Sequence, residues 1–211
     1  MTKIDISTAQ KACTERLQAV GASASFIKNF LRLHTLIATG TTGIIEDQSI
    51  DSATQIPTLE ALEKRADMQP VSRDLLSKLV VCKLNGGLGT SMGLTRAKSL
   101  LHVRYDENQK RRLSFNELNA RQVKLLSEEV VPFVNMVSFN TAKDVEADLN
   151  KSELEQSQKY FLNQNIHPKI LVDTLMPAQL KDDSLCWNPP GHGDFFEVFL
   201  CLLYTSPSPR D

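Results

Sequence analysis

The sequence lacks any apolar run approaching the roughly 18–20 residues that cross a bilayer. Its start, Met1-Thr-Lys-Ile-Asp-Ile-Ser-Thr8, also lacks the charged-then-apolar layout of a secretory signal. A cytoplasmic location is expected. There is no surplus of positive charge. Lys plus Arg number 24 and Asp plus Glu 25, for a net charge of -1. A general nucleic-acid binder held by phosphate contacts is therefore disfavoured, while a local basic pocket for a small anion remains open. Cysteine is sparse. Cys13, Cys82, Cys186 and Cys201 are far apart and form no C-x-x-C pair, which disfavours a disulfide framework or a zinc site and favours reduced thiols packed as small hydrophobes. No internal repeat and no low-complexity stretch precedes residue 200.

What the chain does have is a globular composition. Of 211 residues, 41% are hydrophobic and 23% charged. At about 100–200 residues per domain, that allows one domain and part of another. Phe26, Ile27, Phe30 and Leu31 recur at helical spacing, so the first part reads as helix, ended by the loop Gly40-Thr-Thr-Gly43. A polar connector with breaks at Pro57 and Pro70 follows, expected to wrap on the main domain.

The character then changes. Leu79-Val-Val-Cys-Lys-Leu84 is a buried-strand signal running into a glycine-rich loop. Ser99-Leu-Leu-His-Val103 is a second short strand candidate. Ser114-x-x-Glu117 is a capping box opening a helix that continues through Phe115, Leu118, Gln122, Leu125 and Leu126. Phe133-Val-Asn-Met-Val137 returns to strand behind Pro132, Thr141-x-x-Asp144 starts another helix, and Tyr160-Phe-Leu-Asn163 is the next strand. Strand alternating with helix implies βαβ units, and hence a mostly parallel α/β sheet covered on both faces. Right-handed crossovers then place any ligand at the carboxyl ends of the strands.

The glycine-rich loop carries the chemistry. Glycines at 86, 87, 89 and 93 admit a ligand close to the backbone, and successive N–H groups can cradle an anion. Lys98, five residues on, can add a full charge. The spacing fits neither common alternative. Gly93 is followed by Leu94 and Thr95 rather than the Lys-Ser/Thr of a Walker A loop, and Gly87-Leu-Gly89-Thr-Ser-Met-Gly93 has one residue too many for a dinucleotide fingerprint. A plain glycine-rich turn without a ligand is the competing reading.

At this point the motifs become specific. Lys83-Leu-Asn-Gly-Gly-Leu-Gly-Thr-Ser-Met-Gly93 with Lys98-Ser99 resembles the signature of the UTP–glucose-1-phosphate uridylyltransferase (UDP-glucose pyrophosphorylase) family. Ser138-Phe-Asn-Thr141, Asn163-Gln164, Pro168-Lys169 and Trp187-Asn-Pro-Pro-Gly-His-Gly-Asp194 follow in that family's order. The likeness runs from about residue 20 to about residue 197, and the Ala38-Thr-Gly-Thr-Thr-Gly43 lead-in looks most like the protist branch. Related enzymes that make UDP-N-acetylglucosamine or act broadly on UDP-sugars typically carry Arg in place of Ser91 and Leu in place of Met92.

The resemblance implies a Rossmann-like nucleotidyltransferase sheet and a UTP site lined by Leu84, Asn85, Gly86 and Gly87. It implies that Lys98 binds the UTP phosphates and is catalytic, that Gln164 reads the uracil edge, that Gly191 contacts the nucleotide and that His192 contacts glucose 1-phosphate. The implied reaction is in-line attack of glucose 1-phosphate on the UTP α-phosphorus, with Mg²⁺ as cofactor and no general base. His34, His102 and His167 are read as structural and Asp194 as loop support.

One departure is minor: Thr95-Arg96-Ala97 stands before Lys98, where many relatives carry a Gly-Pro or an Asp-Ala. The other is larger. From about Leu200 the sequence, ending in Thr-Ser-Pro-Ser-Pro-Arg-Asp211, reads as a non-native tail. The expected division is a helical N-terminal segment and connector over 1–75, a truncated α/β domain over 76–199, and the tail over 200–211. The metal-ligand Asp would then lie outside this sequence, and the fragment alone would bind UTP poorly. A sibling UDP-sugar pyrophosphorylase of broader specificity and an inactive nucleotide-binding remnant are the alternatives.

Overall fold

The computed structural model describes residues 5–65, 73–126 and 131–205. Helix α1 spans Ile6–Ala19 and α2 spans Ala24–Ala38. Asp5 and Ser23 cap them, their side chains accepting from the backbone N–H of Thr8 and Phe26 and so satisfying donors the first turn leaves free. Ala9, Cys13 and Leu17 on α1, and Phe26, Phe30 and His34 on α2, recur every fourth residue, so each helix buries one stripe. The two stripes meet in a core that also takes in Ile170 and Trp187.

The connector after α2 behaves differently from expectation. Ile44, Ile45, Ile50 and Ile56 are 73%, 70%, 61% and 73% exposed, so it does not wrap on the main domain. Its isoleucines are interrupted by polar residues at every few positions, and no apolar face forms. A short helix, α3 (Leu59–Glu63), is capped by Thr58. The break assigned to Pro70 lies outside the described residues. Helix α4 (Arg73–Leu76) leads into strand β1 (Val81–Asn85).

After β1 the glycine-rich loop leads to a hairpin of β2 (His102–Asp106) and β3 (Arg111–Ser114), then helix α5 (Phe115–Leu126), strand β4 (Phe133–Val137), helix α6 (Ala142–Leu149) and strand β5 (Lys159–Asn163). The candidate strand at Ser99 begins later than its sequence suggests. A 3-10 turn covers Lys98–Leu100, and pairing starts at His102. Beyond β5 come the two-residue strands β6 (His167–Pro168) and β7 (Trp187–Asn188), and helix α7 (Phe195–Thr205). Helix α7 therefore continues through the first six residues of the segment read as a tail, while 206–211 lie outside the described residues.

The main sheet has the order β1-β4-β5, all parallel, with Val81 opposite Phe133 and Phe133 opposite Lys159. Alternation divides its faces. Val81, Phe133, Val137 and Phe161 pack with Ala120 and Val123 of α5 and Val145 and Leu149 of α6. Cys82, Val134, Met136 and Leu162 pack with Phe195, Val198 and Phe199 of α7. With helices on both faces, β4 has no exposed residue, which is why its sequence is a nearly continuous apolar run. The α/β class with a helical N-terminal segment is as the sequence predicted.

Candidate functional site

All three parallel strands end on the same edge, and every residue singled out in the sequence as a ligand contact lies there. Leu84 and Asn85 close β1, and Gly86 and Gly87 follow it. Gln164 comes directly after β5, and Gly191 and His192 sit on the loop before α7. A cleft of about 400 Å³ is lined by Leu84, Asn85, Gly87, Lys98 and His192, together with Lys83, Ser99 and Phe115. Gly86, Gln164 and Gly191 are not on its wall. They form a contiguous group beside it.

The loop is folded rather than flexible. The N–H of Gly89 donates to the carbonyl of Arg96 (3.0 Å), and those of Met92 and Leu94 donate to the carbonyl of Gly89 (2.8 and 3.0 Å). Gly93, at φ +70°, adopts the left-handed conformation that closes the 3-10 turn Thr90–Met92. The anion cradle expected from four glycines is therefore divided between two tasks. Gly89 and Gly93 shape the loop, and Gly87 with Leu88 is the stretch that borders the cleft.

Gly86 is held from behind. Ser138, just past β4, donates its hydroxyl to the Gly86 carbonyl at 2.7 Å, and the Thr141 hydroxyl accepts from the Ser138 N–H at 3.0 Å. A Cβ on Gly86 would fall 1.8 Å from Oε1 of Gln164, so only glycine permits this approach. Gln164 is buried. Its Nε2 donates to the Gly191 carbonyl at 2.7 Å, and its Oε1 has no partner. Asp194 fastens the same corner, accepting from the Asn165 N–H at 2.7 Å and from the Asn165 amide at 2.9 Å. The end of β5 and the loop bearing Gly191 and His192 are thereby tied together, which agrees with the supporting role read for Asp194.

Beneath the loop, the α5 face of the sheet carries a polar patch beside its apolar core. Asn85 turns its amide inward, donating to Asn135 Oδ1 at 2.6 Å and Asn116 Oδ1 at 3.3 Å, so its side chain anchors the loop rather than opening to the cleft. The capping box is present as predicted. The Ser114 hydroxyl accepts from the Glu117 N–H at 3.0 Å, and Glu117 Oε2 accepts from the Ser114 N–H at 3.1 Å. The same hydroxyl donates to Asp148 at 2.7 Å. Burial, with Glu117 nearby, holds the Asp148 carboxyl above the usual carboxylate range. Burial also pushes the Lys83 ammonium down to about 8, against the opposing pull of Asp148.

Sequence reasoning missed Ser99 and Phe115 as cleft residues. Ser99 Oγ is buried without a partner on the cleft wall. Its place next to Lys98 was the available signal. The cleft lining contains no carboxylate, and among the described residues no three His, Cys, Asp or Glu side chains cluster as metal ligands. Of the histidines read as structural, His34 and His167 are packed, while His102 is exposed on β2. His167 lies 4.9 and 5.0 Å from the rings of Phe26 and Phe30, and His34 meets the Leu175 carbonyl at 3.0 Å. Cys13, Cys82 and Cys186 are free thiols, with Cys13 raised to about 11 by burial.

Among solved structures, the fold is similar to a mutant UDP-glucose pyrophosphorylase from Leishmania major in complex with UDP-glucose (TM-score 0.78, 34% identity, 92% of this chain and 39% of that one). It is also similar to the Trypanosoma brucei UDP-glucose phosphorylase structure (TM-score 0.68, 35% identity, 92% and 39%). In sequence, the UTP–glucose-1-phosphate uridylyltransferase of Saccharomyces cerevisiae is 41% identical over 134 residues, 61% of this chain and 26% of that protein. The enzyme of the same name from Solanum tuberosum is 37% identical over 163 residues, 72% and 33%. The chain thus spans between a quarter and two fifths of the length of these relatives. The family model described as UTP–glucose-1-phosphate uridylyltransferase matches residues 27–201, well over half of the sequence. With its signature loop, its sheet edge and its Gly-His-Gly-Asp turn assembled as above, the chain belongs to the UTP–glucose-1-phosphate uridylyltransferase family.

Proposed function

We propose that this chain supplies the nucleotide-binding half of a site that makes UDP-glucose and pyrophosphate from UTP and glucose 1-phosphate. The observation that carries the reading is the convergence of Lys98, Gly87 and His192 on one cleft at the carboxyl edge of a parallel sheet, with the Ser99 hydroxyl buried and unpartnered beneath its wall. Glycine backbone, a hydroxyl and a lysine suit phosphate oxygens, and an exposed histidine across the cleft suits a second phosphate or a sugar. Uracil would sit by Gln164. The unpartnered Oε1 can accept from the ring N–H, and Nε2 can donate to a ring carbonyl once it leaves Gly191.

The phosphate of glucose 1-phosphate is already ionised near neutral pH, so its oxygen can attack the α-phosphorus without a general base. Lys98 would offset the charge that develops as pyrophosphate departs. Mg²⁺ would enter with the nucleotide's phosphates, since the cleft wall offers it no carboxylate. In a protein carrying this segment at the full length of its relatives, Lys98→Ala should lower pyrophosphate release from UTP and glucose 1-phosphate by about 10²–10³-fold, with the circular-dichroism spectrum unchanged. Turnover within a few-fold of the parent would remove Lys98 from the chemistry. Running the assay with galactose 1-phosphate as well would separate a glucose enzyme from a broader UDP-sugar enzyme.

A further inference from the structure

Lys83 is the other lysine on the cleft, and the reaction as derived above does not use it. It lies on β1 two residues before Asn85, on the strand face that turns toward α5, opposite Asn135 in the register. Its side chain borders the phosphate cleft on one side and an apolar groove lined by Val123, Leu125 and Phe133 on the other. Its ammonium donates to Oδ1 of Asn119 on α5.

The surroundings are unusual for a buried cation. Half-buried ammonium groups ordinarily sit against a carboxylate. Among the described residues, none lies within ion-pair distance of Lys83. Asp148 of α6 acts on it only through space, and Glu117 of α5 is already paired with Arg111 at 2.5 Å. From α5 itself the amides of Asn119 and Gln122 border the same groove. Across the cleft stand Lys98 and His192, which add positive charge or none. Among the described residues, a cation desolvated by an apolar groove, held by one neutral amide and facing a cleft with no carboxylate, is short of a counter-charge.

We propose that Lys83 is a second cation of the phosphate site, whose counter-ion is the polyphosphate of the bound nucleotide. The proposal rests on reading the cleft as the phosphate site. It deepens that reading by giving the site a lysine beneath the loop as well as one beside it. Binding and charge are then linked in both directions. An anion in the cleft favours the ammonium, and the ammonium favours the anion. Because burial brings the free group down to about 8, UTP affinity falls as pH rises through that value, and UTP binding there takes up protons.

The test is a pH titration of the lysine ε-methylene signals of a ¹³C-lysine-labelled protein carrying this segment at the full length of its relatives, with and without saturating UTP. Lys83→Met identifies the Lys83 signal. With UTP, the Lys83 midpoint is expected to move up by about one pH unit or more, and Lys83→Met should weaken UTP binding about tenfold at pH 7. A second variant guards against a merely structural effect. Asn119→Asp keeps the shape but gives Lys83 a carboxylate, so its midpoint should rise without ligand and respond little to UTP. If UTP perturbs Lys98 and the Gly87 amide yet leaves the Lys83 midpoint unmoved, the inference falls and the phosphate reading stands. If UTP perturbs none of the three, both fall.

Discussion

Gly86 shows how much one missing methyl group can decide. The Ser138 hydroxyl pins its carbonyl, the Gln164 amide fills the space where a Cβ would stand, and Gln164 is fixed in turn by Gly191. Gly86→Ala puts a Cβ 1.8 Å from the Gln164 amide oxygen. The amide must then swing away or the loop must rise. UTP affinity, measured by calorimetry, should drop at least tenfold while the melting temperature changes little, because the displaced group is a side-chain end and not the sheet. Retained affinity would show that Gln164 does not have to rest on Gly86 for the nucleotide to bind. Lys83 makes a pH prediction at the same scale. Its folded value lies near 8 and its ordinary value near 10.5. Below about 8 both states are charged, and the fold bears the cost of burying the charge. Between about 8 and 10.5 the unfolded chain holds more protons than the folded one, so this group's contribution to stability rises with pH. The melting temperature of the parent relative to Lys83→Met should accordingly climb from pH 7.5 to pH 10. A flat difference would place the ammonium in water.

At the scale of the element, the start of α5 joins two otherwise separate jobs. The Ser114 hydroxyl caps the helix and also donates to the buried Asp148 of α6. Ser114→Ala removes both bonds and leaves the buried Asp148 carboxyl with only the Asn116 amide beside it as a donor. The expected loss is about 2–3 kcal/mol of unfolding free energy in urea, more than a surface cap gives, because the desolvated partner stays behind. A loss under about 1 kcal/mol would mean that the Asn116 amide suffices for Asp148. The capping box was readable as Ser114-x-x-Glu117 because it is a local pattern. The bond to Asp148 was not, since 34 residues separate the partners and only α5 packing on α6 brings them together. The hairpin was legible only in part: its first strand was expected near Ser99–Val103, but β2 is exposed at four of its five positions and β3 reads Arg-Arg-Leu-Ser, so no apolar alternation marks their pairing.

Across the whole molecule, the helical N-terminus and the Gly191–His192 loop share a core. Trp187, read in the sequence as part of a motif, is packed against the α1–α2 cluster. The Arg16 guanidinium stacks 4.8 Å above its ring and pairs with Asp183, to which the Trp187 N–H also donates at 2.9 Å. Ser23 and Ser25 at the start of α2 donate to Glu197 of α7. The first helices therefore brace the loop that carries His192, while the connector that follows them is exposed along its length. Limited trypsin digestion should cut first at Lys64 or Arg65, and α1–α2 should stay associated with the remainder under native conditions. Release of the N-terminal peptide would contradict the shared core.

The sequence by itself determined the class of the fold, the position of the glycine-rich loop and the family, because each is written in local pattern: a β-branched run, four glycines at fixed spacing, a capping box. It also pointed to the strands' carboxyl ends as the edge that gathers the candidate site residues, as right-handed crossovers imply. Only the tertiary structure decided which glycines face the cleft and which fold the loop, that Gln164 rests on Gly86, and that Ser99 and Lys83 share the wall with Lys98. These depend on which side chains remain unsatisfied once the sheet and its helices have packed. Burial and partnership are properties of the assembled core, and spacing along the chain does not encode them.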